Sequence, residues 1–260
     1  MSQASSARTA MASNQFIARL QGWYIRRSAS WFFRRLVPIR TSVPLISFTF
    51  DDFPRSALLT GGAILKRYGC RGTYYASLGL MGKQAATGPI FLPEDLEELL
   101  AQGHELGCHT FGHHDSWKTN SSIFENSLAE NQRALHSLLP GTVFKTMSYP
   151  YNPPRPATKR RAGRHFEACR GGGQTLNMQS ADLNYLSAFF LEKSRSNAAA
   201  VRALIDRNHA ARGWLILATH DVCDSPTPFG CTPSFFEEIV RYAVESGAKI
   251  LPVSEALREL

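Results

Sequence analysis

Two short segments carry the residue types of a divalent-metal site with a spare carboxylate beside it: Thr49-Phe50-Asp51-Asp52 and His109-Thr110-Phe111-Gly112-His113. One carboxylate and two imidazoles form a common ligand set for a catalytic zinc or similar divalent ion, with a coordination position left open for water. Asp52, His109 and His113 supply that set. Successive side chains of an extended segment diverge, so Asp51 cannot share the ligand position and is left to act as a base. A coordinated water has its pKa lowered toward about 7, and a nearby carboxylate can then take its proton during attack. The competing role for Asp51 is a turn or helix-capping aspartate. The spacing of the two histidines puts both on one side of a helical turn or tight loop, with Gly112 relaxing the backbone. The pattern as a whole points to metal-assisted hydrolysis.

A third segment, Leu217-Ala218-Thr219-His220-Asp221, ends a buried-strand pattern on an imidazole. An amide nitrogen leaves poorly unless it is protonated, and His220 is placed to be that general acid, with Asp221 or another carboxylate expected to orient it. The structural alternative is an ordinary strand-end histidine.

From about Pro44, short apolar runs alternate with amphipathic stretches, the signature of repeated β–α units. Strands are expected at 43–50, 72–76, 105–108, 143–147, 166–169, 214–218 and 249–251. Helices are expected at 56–68, at 92–101 with Pro93 in the first turn, from the Ser122-Ile123-Phe124-Glu125 capping box to near Pro140, at 198–211, from Thr232-Pro233 to Gly247, and at 254–260. Asp51, Asp52, His109, His113, Tyr151 and His220 all fall just after expected strands. In a parallel barrel those strand ends share one face and carry the site.

The chain has 260 residues, 43% of them hydrophobic, with a net charge of +8. Residues 1–40 hold seven arginines and no Asp, Glu or Lys, which leaves 22 basic against 21 acidic residues elsewhere. The body is nearly neutral, so the basic pI is no argument for nucleic-acid binding. The arm interleaves Phe16, Ile17, Leu20, Trp23, Tyr24, Trp31, Phe32, Phe33 and Leu36 with those arginines, approximating a basic amphipathic helix ending near Pro38. Three readings compete for it: a peripheral membrane helix, an Arg-rich targeting peptide, or a segment packed on the barrel wall. No apolar run reaches the length of a transmembrane span. Five cysteines without metal spacing fit a reducing compartment, and Cys223 with Cys231 is the pair that would bridge on export. The expected location is cytoplasmic, with membrane association through the arm. The expected division is 1–40 as a basic aromatic arm and 41–260 as one catalytic domain.

From about Pro44 to Leu257 the chain resembles the polysaccharide deacetylases of carbohydrate esterase family 4, which include chitin deacetylases and nodulation-type chitooligosaccharide deacetylases. The resemblance rests on Thr49-Phe50-Asp51-Asp52 and His109-Thr110-x-x-His113. Gly72-Thr73-Tyr74-Tyr75, Gly103-His104-Glu105-Leu106-Gly107 and Ser254-Glu255-Ala256-Leu257 add to it. It implies an α/β fold, a distorted (β/α) barrel of about seven parallel strands, and removal of an acetyl group from an N-acetylated sugar. It assigns Asp51 as base, Asp52, His109 and His113 as ligands of a divalent metal, most naturally zinc, and His220 as acid. The Tyr151 backbone N–H, in Ser148-Tyr149-Pro150-Tyr151, helps bind the oxyanion. The family arginine that orients the base is missing from that last motif, and Arg155 and Arg170 are the candidates to replace it. Phe53 stands where the family has glycine, implying a narrowed mouth. The fourth motif has Asp182 as its one candidate, and Leu217 stands in for a leucine of the acetyl pocket. The expected partner is an N-acetylated carbohydrate, with no nucleic acid. The alternatives are deacetylation or deformylation of a lipid-linked amino sugar, or an inactive carbohydrate-binding relative.

Trp117, Trp214 and Tyr185 can stack on sugar rings or serve as core. Lys159 to Arg164 reads as a solvated basic face or a contact for an anionic glycolipid or nucleotide-sugar.

Overall fold

The structure, a computed structural model, describes residue 20 and residues 22–195 and 197–260. Phe16 and Ile17 of the arm lie outside the described residues. Seven parallel strands close into a barrel: β1 Leu45–Phe50, β2 Thr73–Ala76, β3 Glu105–Cys108, β4 Thr146–Ser148, β5 Ala168–Gly173, β6 Leu186–Phe190 and β7 Trp214–Thr219. They stand in sequence order, and β7 returns to pair with β1 from Trp214 opposite Leu45 to Thr219 opposite Phe50. β1 meets β2 only at Thr49 and Phe50, and β8, Lys249–Ile250, fills the gap beneath. That inserted strand is the distortion in the barrel.

Strand alternation sorts the residues into two environments. Ile46, Phe48 and Phe50 of β1 and Leu215 and Leu217 of β7 face outward, packing with Phe236, Ile239 and Val240 of helix Pro233–Glu245. The opposite parity mixes a second apolar cluster, Leu45, Ala168, Leu186, Ala188, Trp214, Ile216 and Ala218, with polar Ser47, Thr49, Thr73, Glu105, Thr146, Ser148 and Arg170 within the barrel. Buried polar groups need partners. Thr73 and Thr146 donate to Glu105 at 2.9 and 2.6 Å, and the Ser254 N–H donates at 2.8 Å, which secures the barrel floor. Trp214, one of the three aromatics read as sugar platform or core, is fully buried and donates to Ser47 Oγ at 3.0 Å.

The outer layer is helical. The segment expected as one helix at 56–68 is π-helical over Ala57–Gly62 and α-helical over Ala63–Arg67, dividing where two glycines of poor helix propensity stand together. Helix Ser121–Leu138 is capped by Asn120, which accepts from the Ser122 N–H at 2.8 Å, and not by the expected Ser122–Glu125 box. Glu125 is engaged instead by His165 and Arg161. Helices Pro93–Ala101, Ala198–Ala211 and Pro233–Glu245 follow their start and stop signals closely. Elements not legible include helix Pro156–Ala162, the short pair Leu36–Pro38 and Ser180–Asp182, the hairpin Gln84–Ala85 with Gly88–Pro89, and β6, five residues fixed by pairing with β5 and β7.

The arm is helical over residues 22–31 and does not continue to Pro38. Leu36–Pro38 instead pairs antiparallel with Ser180–Asp182. Barrel groups capture the backbone here: Lys159 Nζ donates to Ala29 O at 2.7 Å, Asn184 donates to Phe33 O, and the Arg35 N–H donates to Asp182. Lys159 is completely buried and pairs with Asp182 at 2.6 Å, so this residue is no part of a solvated face. Among the described residues no helix is long and apolar enough to cross a membrane. All five cysteines are free.

Candidate active site

Asp51 and Asp52 leave the C-terminal end of β1, His109 and His113 follow β3, Tyr151 follows β4 and His220 follows β7. All six line one cleft of about 1170 Å³. The backbone bends sharply where these residues sit. Asp52, Phe53, Thr110, His113 and Tyr151 all have left-handed φ angles between +53° and +61°. Strained dihedrals of this kind persist where the surroundings over-determine them, and they cluster at functional sites. The 109–113 segment is a loop, and its left-handed turns fall on Thr110 and His113, not on Gly112. Ser77 Oγ donates to His109 O at 2.7 Å, while the His114 N–H donates to Thr110 Oγ1 at 3.0 Å.

One ligand atom from each of Asp52, His109 and His113 lies within 4.8 Å of the others. His113 Nε2 is 3.0 Å and His109 Nε2 3.4 Å from Asp52 Oδ1. The His109 Nδ1–H donates to the Ser148 carbonyl at 2.9 Å, which puts the lone pair of that ring on Nε2, facing the carboxylate. Among the described residues, Asp52 Oδ1 is buried without a hydrogen-bond donor. A lone pair set against an orphaned carboxylate oxygen is an arrangement a divalent cation would satisfy, so the residues present fit a metal. Thr87, on the hairpin formed by Gln84–Ala85 and Gly88–Pro89, donates to Asp52 Oδ2 at 3.1 Å and fixes the carboxylate.

Asp51 takes no part in that set. Its carboxylate receives Arg170 Nη2 and, at 3.0 Å, Ser148 Oγ, both on Oδ1. Oδ2 has no protein partner among the described residues, and Asp51 faces the cleft. Burial works to raise the Asp51 carboxyl; the charge of Arg170, with His109 and His220, outweighs it and holds the group below its ordinary range. Of the two candidates for the missing arginine, Arg170 is the one beside Asp51. Arg155 bonds to Trp117 O and lies over its ring. Arg170 is fully buried, its guanidinium 5.1 Å from the Tyr75 ring centroid and 5.2 Å from that of Phe190. Glycine at 107 makes room for this stack, since a Cβ there would come within 2.4 Å of the Tyr75 ring.

His220 packs between Phe190 and Phe229, with Nδ1 3.2 Å from the Phe229 carbonyl. Asp221 turns away to bind the Thr227 N–H and hydroxyl, so it does not orient His220. Asp182 is also occupied elsewhere, by Lys159 and the Arg35 and Asn184 N–H groups. The carboxylate that sequence reasoning missed is Glu192, on the turn after β6. It lines the cleft with a buried Oε2 that has no partner among the described residues, and burial raises its carboxyl above the usual range despite the nearby His220 charge. Tyr151 is two-thirds exposed, its ring 4.7 Å from that of His113. Its N–H donates to no protein acceptor among the described residues. Leu217 belongs to the outer, helix-packed layer and cannot line an acyl pocket. Phe53 is buried against Phe91 at 4.7 Å and does not narrow the mouth. Of the remaining aromatics, Tyr185 lines the cleft, whereas the Trp117 indole donates to Pro153 O.

Residues 39–165 match the family model described as polysaccharide deacetylase. Over that stretch the chain is similar to the polysaccharide deacetylases. Among curated relatives, the chain is 25% identical over 207 residues to a gellan lyase of a Bacillus species, covering 72% of the chain and 8% of that protein. It is 28% identical over 133 residues to the peptidoglycan-N-acetylglucosamine deacetylase PgdA of Listeria monocytogenes, covering 47% of the chain and 27% of that protein. The chain thus spans about a quarter or less of the curated relatives it matches. The chitin deacetylase of Colletotrichum lindemuthianum superposes with a TM-score of 0.60 at 18% identity, over 84% of this chain and 89% of that one. That likeness shows a shared closed seven-stranded barrel, and fold alone does not imply function. The family match ends at 165, before Arg170, Glu192 and His220.

Proposed function

We propose that this polysaccharide deacetylase domain is a metal-dependent hydrolase that removes an N-acetyl group from an N-acetylated sugar or polysaccharide. The observation that carries the reading is the division of labour between adjacent aspartates. Asp52 faces two imidazoles, whereas Asp51, clamped by Arg170, presents a second carboxylate to the same cleft. A binding module has little use for both.

Asp52, His109 and His113 would hold the ion, zinc by donor chemistry, and when bound it supplies Lewis-acid activation of water and of the acyl carbonyl. The chain's own groups do the rest. Arg170 and Ser148 fix Asp51 through Oδ1 and leave Oδ2 to accept the proton of the attacking water. The Tyr151 N–H, uncommitted in the fold, donates to the oxygen that becomes negative as the acetamide carbonyl is attacked. His220 donates a proton to the departing nitrogen, and its contact with Phe229 O fixes the ring.

Mass spectrometry of N-acetylated chitooligosaccharides, peptidoglycan fragments and acetylated xylan after incubation with zinc-loaded protein tests the reading. Loss of an acetyl group from one class is expected, falling by about 10²–10⁴-fold in Asp51→Asn with metal still bound. Near-native turnover by Asp51→Asn would remove the base assignment.

A further inference from the structure

The outer face of the arm helix does no work in the site described above. Leu20, Trp23, Arg27 and Trp31 stand at helical spacing along it, and the three apolar members are each at least half exposed. The Arg27 guanidinium lies 5.7 Å from the Trp23 ring and 4.9 Å from the Trp31 ring, so the face is an indole–guanidinium–indole ladder. Exposed Phe32, Phe33 and Leu36 extend the apolar strip beyond the helix. Isolated exposed hydrophobics are ordinary, but a contiguous run of this size marks an interaction surface. The charge is one-sided, since residues 1–40 contain no acid. Arg26, Arg27, Arg34 and Arg40 make no ion pair among the described residues.

We propose that this face is a docking surface for an anionic lipid bilayer. Indole rings settle at the boundary between headgroups and acyl chains, phenylalanine and leucine enter the acyl region, and arginines reach phosphates along their own stems. The positive strip complements the negative surface potential of anionic lipid. The helix is not tethered loosely. Ser28 and Ala29 are buried, and Lys159 holds the Ala29 carbonyl. Gly22, Ile25, Arg26 and Ser30 of the same helix line the cleft that contains Asp51 and His220. Docking therefore sets the cleft mouth beside the bilayer. Resting on the function proposed above, the substrate class that follows is an N-acylated sugar carried on an anionic lipid.

Co-sedimentation of the full chain with vesicles of phosphatidylcholine alone or enriched in phosphatidylglycerol tests the surface without using turnover. The expected result is binding to anionic vesicles at least tenfold tighter than to neutral ones, reversed by salt. Binding should weaken about fivefold in Arg27→Gln, the scale of one surface charge, and at least tenfold in Trp23→Ala/Trp31→Ala. Asp51→Asn should bind as the unmodified chain does, so a failed catalytic assignment and a failed surface are distinguishable. An unchanged melting temperature in Arg27→Gln guards against a misfolded variant. Equal binding by all variants, absence of vesicle binding, dimerisation through this face in analytical ultracentrifugation, or capture of RNA in place of vesicles would each overturn the proposal.

Discussion

The two sides of the cleft are built differently. The side proposed for the metal comes from residues 51–113, where two compact segments carry all three candidate ligands and local backbone strain aims them: Asp52, Phe53, Thr110 and His113 all adopt left-handed conformations. The opposite side comes from residues 170–220, where Arg170, Glu192 and His220 arrive singly from β5, the turn after β6 and the end of β7. A metal's ligands must converge within a few ångströms, which favours short motifs. A charge clamp needs only the right strand parity and register, because a barrel brings distant strand ends together. The first arrangement leaves a local mark and the second does not.

This contrast predicts that the metal side fails through occupancy and the other through positioning. The largest effect is expected for His113→Ala, which loses its metal with a fall in turnover on the order of 10³-fold, several kcal/mol of transition-state stabilisation. Metal content by plasma mass spectrometry alongside turnover checks it, and full occupancy in that variant would break the distinction. Arg170→Gln should retain its metal yet lose turnover by about 10²-fold and stability by about 3–5 kcal/mol, because it strands the buried Asp51 charge. Denaturant unfolding reads the stability term. Asp51→Asn/Arg170→Gln should recover much of it, and strictly additive losses would show that the two residues act separately.

Glu192→Gln sharpens the comparison on the positioning side. Removing a charge that acts on His220 and Asp51 without touching the ligand set should lower kcat about tenfold and leave KM and metal content unchanged. A variant indistinguishable from the unmodified chain would reduce Glu192 to a lining residue. The last effect leaves turnover untouched and concerns stability alone. His104 accepts the Gly72 N–H on Nδ1, and burial first, then Arg71, holds its pKa down at about 4. The unfolded chain therefore binds a proton that the folded chain refuses. Stability should fall as pH drops below about 6.5, by up to about 3 kcal/mol near pH 4, with no further contribution below that. His104→Gln should flatten that part of the curve, as urea midpoints across pH would show.

Much of the barrel was legible because its physics is local. Continuous apolar or alternating runs marked most strands, and Pro93, Thr232 and Gly247 punctuated helices through capping and backbone freedom. The convergence of Asp52 with His109 and His113, with Asp51 beside them, was legible for the same reason, since Asp51-Asp52 and His109…His113 each place their side chains within five residues. β6 was not, because five residues carry too little periodicity to stand out from loop; its pairing with β5 and β7 makes it a strand. Arg155 and Arg170 were equal as arginines. Only the parity of β5 turns Arg170 inward between Tyr75 and Phe190, against Asp51. Lys159 read as surface until Asp182 and the arm backbone enclosed it.

By itself, then, the sequence determined the paired aspartates, the two spaced histidines, the strand-end imidazole and the repeated β–α order. These follow from side-chain chemistry and short-range periodicity. The tertiary structure alone decided which arginine holds Asp51, which further carboxylate shares the cleft with His220, and that the arm lines the cleft. Each depends on residues far apart in the chain meeting through strand register, a relation no local pattern records.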